Sequence, residues 1–93
     1  MKYRKKPVVI EAVQFDGTPH GALVVFDIFD IPGSKFVPNM YNMSAGEISI
    51  PTLEGVMKAS AGDWIIKEPF PTKDRQYYPC KQSIFEATYE PVA

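Results

Sequence analysis

Few residues in this chain could carry acid–base or nucleophilic chemistry. There is one histidine, His20, one cysteine, Cys80, and eleven Asp and Glu side chains spread along the length. Nucleophilic catalysis needs a nucleophile, a base and an orienting group within hydrogen-bond reach. Only Cys80 with His20 could supply the first two. His20 falls at the start of a candidate helix, where a surface histidine near a cap is the simpler reading. Cys80 follows Pro79 in an aromatic stretch, the usual setting of a small buried hydrophobe. A metal site fails on inventory, because carboxylates would have to complete any ligand set, and Asp27 with Asp30 reads as the wet face of a helix. Six scattered glycines form neither G-x-G-x-x-G nor a Walker loop. No catalytic residue, metal ligand or cofactor is expected, and the chain reads as a non-enzyme.

Binding chemistry is better represented. In "KYRKK" (Lys2–Lys6), Arg4, Lys5 and Lys6 could touch phosphates, although a solvated N-terminal arm has the same composition. A second patch joins Lys73, Arg75 and Lys81 to Tyr77 and Tyr78. Neighbours on a strand point to opposite sides, so one of these tyrosines faces away from the core beside the bases. Trp64, in "AGDWIIK", has two readings. It could stack on a base, a nucleotide or a partner's side chain. It could instead begin a strand launched by the Gly62-Asp63 turn, with its ring over one end of the core and its indole N–H on a carbonyl or water. The scaffold reading is preferred.

These side chains must be positioned by a small domain. The 93 residues make one domain, residues 1–93, with a single modest core. A net charge of −1 gives no global pull toward nucleic acid or an anionic membrane. The lone cysteine excludes an internal disulfide and fits a reducing cytoplasm. No signal peptide is apparent, and the densest apolar segment, Ala22–Ile31, falls short of the ~20 residues a bilayer span needs, so a soluble protein is expected.

"PVVIEAVQF" (Pro7–Phe15) reads as a strand with both faces covered, hence central. The segment 18–31 carries helix signals: Thr18 as N-cap, Pro19 at the first position, a polar stripe of His20, Asp27, Asp30 and Ser34, and Pro32-Gly33 as a stop. Its β-branched and aromatic content also fits a strand, and the cap signals favour helix over that alternative. Residues 34–46 read as a loop with Phe36, Met40, Tyr41 and Met43 tucked beneath it. Strands follow at Glu47–Ile50, Val56–Ser60, Trp64–Glu68 and Gln76–Lys81, the last an edge because of Pro79. Thr52–Gly55 and Ala61–Asp63 are turns, and residues 69–75 an exposed connection. Ser83 and Glu86 have capping-box spacing for a short helix, after which "TYEPV" closes as a strand. The expected fold is α+β: a small, twisted, mixed or antiparallel sheet of about five or six strands, or a half-open barrel, with a helix after the first strand and a short helix before the last. The expected core is Val9, Val13, Phe15, Leu23, Phe26, Ile48, Ile50, Ile66 and Phe85.

Three blocks, "YRKKPVVIEAVQFDG", "TLEGVMKASAGDWIIK" and "YPCKQSIFEATYEPV", resemble a widespread group of small uncharacterised proteins encoded by bacteriophages and prophages. Members of that group usually have a glycine soon after the "DWIIK" lysine and then a short turn, where this chain has the longer "EPFPTKDRQ". They carry Pro-Asp where it has Gln82-Ser83. The resemblance implies an accessory protein in the cytoplasm of a bacterial host and brings no activity or catalytic residues. The expected function is a non-enzymatic binding module acting through a protein partner or as a homo-oligomer, such as a host-directed inhibitor. The alternative is capture of a small anionic ligand, such as a nucleotide, by Arg4, Lys5, Lys6, Arg75 and Lys81 with an aromatic platform. Neither membrane nor nucleic acid is an expected partner.

Overall fold

The computed structural model describes residues 1–3, 9–52, 54–68 and 76–91. In chain order the elements are β1 (Glu11–Gln14), α1 (Pro19–Ile28), β2 (Lys35–Val37), β3 (Glu47–Thr52), β4 (Gly55–Ala59), β5 (Trp64–Lys67), β6 (Tyr77–Cys80) and α2 (Gln82–Thr88). The fold is α+β, with one helix after the first strand and a short one at the end. The six strands divide into two antiparallel three-stranded sheets, ordered β1-β5-β6 and β2-β3-β4. No helix among the described residues is long and apolar enough to cross a membrane.

The alternation of side chains along a strand explains how the core is shared. Val13, Ile65 and Tyr77 lie on the inner face of the first sheet, where they meet Ile48, Ile50 and Ala59 of the second sheet and Phe15, Val25 and Phe29 from around α1. The other face of the first sheet carries Ala12, Trp64, Ile66, Tyr78 and Cys80, with α2 against it. β5 is therefore covered on both sides, and Ile65 and Ile66 are both buried.

The reading of the first strand as central is corrected, since β1 is an edge and the doubly covered strand is β5. Val9 lies before β1 and is exposed, so it leaves the expected core. α1 forms where the cap signals place it. The Thr18 hydroxyl accepts the Gly21 N–H at 2.9 Å, and Pro19 occupies the first turn. The helix ends at Ile28, because Ile31 precedes Pro32 and is steered toward extended backbone. Phe29 and Ile31 enter the core from that extended segment. Leu23, expected in the core, is 69% exposed, because α1 turns Gly21, Ala22 and Val25 inward.

Residues 34–46 contain β2, and its Phe36 packs on the core. Met40, Tyr41 and Met43 are exposed rather than tucked beneath. The Asn39 carboxamide oxygen accepts the amides of Tyr41 and Asn42, and the Asn42 oxygen accepts that of Ser44, so the loop's own polar side chains satisfy its backbone. α2 starts from Lys81 with no side-chain cap bond. Ser83 lies inside the helix, where Gln82 Nε2 donates to Glu86 Oε1 at 3.1 Å. The closing strand is absent among the described residues: Thr88 belongs to α2, and Tyr89 packs against Phe85.

Candidate functional site

Two surfaces concentrate unusual side chains. The first is the outer face of α1. At 100° per residue, His20, Leu23, Val24, Asp27 and Ile28 fall within one arc of the helix, opposite the buried Ala22 and Val25. Leu23 and Ile28 are 69% and 55% exposed, and Val24 is exposed as well. Leu23 stands at one edge of this arc and Val24 and Ile28 toward the other, with His20 and Asp27 between them. The helix is anchored from below. Asp16 Oδ1 accepts both the amide and the hydroxyl of Thr18, at 2.9 and 2.6 Å, while that hydroxyl accepts the Gly21 amide. A side chain at position 21 would run into the Asp16 carboxylate, which is why glycine stands in the first turn despite its poor helix propensity. The two hydrogen bonds from Thr18, with a smaller contribution from the charge of His20, hold the Asp16 carboxyl below its ordinary value.

The second surface lies under α2. Trp64 and Phe85 stack with centroids 4.2 Å apart and planes 9° from parallel, and Tyr89 continues the row 5.1 Å from Phe85. The indole N–H of Trp64 is buried and reaches no carbonyl among the described residues. The ring's place is set by stacking on Phe85. Trp64 is thus covered by the protein's own aromatic side chains, as the scaffold reading requires. The turn that launches β5 is also as expected. Gly62 has a φ of +91°, and Asp63, 5% exposed, accepts the Ser60 amide at 2.9 Å.

Asp63 also faces Lys81 Nζ at 3.5 Å, which draws one of the expected ligand-binding bases into a structural ion pair. Tyr77 is buried, with its ring 5.1 Å from Phe29. Tyr78 lies half-buried on the opposite face of β6, in register with Ile66. Arg4, Lys5, Lys6 and Arg75 lie outside the described residues. Trp64 and Lys81 are brought near each other through the Asp63 turn and the Trp64–Cys80 register pair. Burial, and secondarily the negative charge of Asp63, pushes the Cys80 thiol up, which makes it a poor nucleophile at neutral pH. His20 is exposed on α1. Among the described residues no group of three or more His, Cys, Asp and Glu side chains is placed to hold a metal ion.

The sequence reading missed the outward turn of Leu23 and the exposure of the Met40–Met43 loop. The polar stripe of His20 and Asp27 does mark the outward arc, and what periodicity left out is that Leu23, Val24 and Ile28 flank that stripe on the exposed side. The chain matches no protein-family model, no curated protein and no solved structure.

Proposed function

We propose that this protein is a non-enzymatic binding module that acts through protein–protein contacts. One observation carries the reading: Leu23, Val24 and Ile28 are exposed on a capped, firmly seated helix. Apolar side chains gathered on one helix face beside polar residues are a feature of protein interaction sites. A helix face held rigid before binding loses little conformational entropy on docking. The exposed Met40, Tyr41 and Met43 add residue types that interfaces favour, on a loop whose turns are held by Asn39 and Asn42. The similarity in sequence to phage-encoded proteins supports a role inside a bacterial host, with a host protein as the partner.

The test is affinity capture from a bacterial host, with the wild type and the double variant Leu23→Glu, Ile28→Glu as baits. Both positions are exposed, so the variant should keep its fold and its unfolding midpoint within about 0.5 kcal/mol of stability. A partner held by the wild type and lost by the variant supports the reading. A partner held equally by both, or none held by either, would end it.

A further inference from the structure

The exposed face of α1 carries its charge at the wrong end. A helix has a partial negative charge at its C-terminus, so cations are favoured in the last turn and anions are disfavoured there. α1 has no basic residue in its last turn. Asp27 stands there instead, and Asp30 follows two residues beyond the end of the helix at Ile28. Both carboxylates are exposed, and among the described residues neither is in an ion pair.

The surrounding chain does not compensate. From Val9 to Ser34 there are four acids, Glu11, Asp16, Asp27 and Asp30, and no lysine or arginine. Two of the four are used within the fold. Glu11 faces Lys67 across the sheet at 3.9 Å, and Asp16 accepts the amide and hydroxyl of Thr18. Asp27 and Asp30 have no such role. Acids on a wetted helix face need no explanation when their neighbours are polar, but here Asp27 lies between exposed Leu23 on one side and exposed Val24 and Ile28 on the other.

We infer that the segment docking on α1 is basic and apolar: a lysine or arginine set between large apolar side chains. The inference rests on the α1 docking reading above and adds the chemistry of what docks. The cation lies over Asp27 and Asp30 and offsets the negative end of the helix, while its apolar neighbours cover Leu23, Val24 and Ile28. Leu23 and Ile28 are ~7.5 Å apart along the axis, a distance that one to two turns of a partner helix span. An acidic segment of the same apolar content would set like charges together, so charge selects among apolar partners. The same sign disfavours nucleic acid or an anionic membrane on this face.

Panning a random peptide library on the full chain reads this preference directly. Enriched peptides should carry Lys or Arg between large apolar residues. They should bind roughly tenfold more weakly to the double variant Asp27→Asn, Asp30→Asn, the effect of two exposed ion pairs. Panning on Asp27→Lys, Asp30→Lys should enrich Asp and Glu instead. Asp27→Asn takes an anion from the negative end of the helix and should raise the unfolding midpoint slightly, which separates weaker binding from loss of fold.

A lowered midpoint, peptides with no excess of Lys or Arg, or equal binding by the Asn variant would each overturn the inference. Peptides lost on Leu23→Glu, Ile28→Glu but indifferent to charge would keep α1 as the docking face and refute only this partner chemistry. Peptides retained by that variant, or no enrichment on the wild type, would overturn both.

Discussion

Replacing Phe85 by alanine tests how α2 is held. No residue of α2 is fully buried, and the helix has seven residues, too few to persist in water on its own. Its attachment runs through Phe85 and Tyr89 onto Trp64. Full burial of a phenylalanine side chain is worth about 1.5–3 kcal/mol, and Phe85 is half-buried, so roughly half of that is at stake. The stacked geometry, at 4.2 Å and 9°, adds about 0.5–1.5 kcal/mol. The loss should total about 2 kcal/mol, a fall of roughly 8–16 °C in the unfolding midpoint for a chain of this size.

Trp64 is the only tryptophan, so its fluorescence reports the event directly. Phe85→Ala should shift the emission to the red as the indole meets water and should lower the helical circular dichroism by the share of the seven residues of α2, with α1 and the strands intact. Phe85→Leu keeps most of the volume but loses the stack, and should fall about halfway. Unchanged emission and an unchanged midpoint in Phe85→Ala would refute the argument that this stack seats α2.

Three further perturbations probe other parts of the fold. Gly17→Ala and Gly55→Ala both place a side chain at positive φ, +85° and +111°, which costs about 1 kcal/mol or more in either case. Gly55 has open space around it, whereas at Gly17 the added carbon meets the Ser44 carbonyl and Ala61. Urea denaturation should therefore show Gly17→Ala as much the worse of the two. Asp16 should stabilise α1 in a pH-dependent way. Its carboxyl titrates below the ordinary 3.8 because Thr18 donates to the ionised form, so the contribution is full above that value and is lost as pH falls through the folded-state pKa. The stability gap between wild type and Asp16→Ala, measured by thermal melts, should be wide at neutral pH and close in acid, and a gap independent of pH would refute the assignment. Cys80 should alkylate slowly at neutral pH, and Asp63→Asn should speed the reaction by removing the charge that disfavours the thiolate, as read by mass spectrometry over time.

Local chemistry made much of the fold legible. Thr18 and Pro19 began α1, Gly62 and Asp63 launched β5, Gly55 turned the β3–β4 hairpin, and Pro79 marked β6 as an edge, because each acts through its own backbone or its immediate neighbours. Alternation placed Ile48 and Ile50 in the core for the same reason. The sequence thereby determined which segments are helix and which are strand, almost everywhere. Tertiary structure decided what no local pattern encodes. It chose how far the apolar residues beside the polar stripe of α1 turned inward, burying Val25 and exposing Leu23. It put β5 rather than β1 at the centre of its sheet and drew Phe85 onto Trp64. Hydrophobic burial is non-directional, so it specifies that apolar surface will be covered, and the geometry of the packed elements settles which surface is covered and which stays exposed.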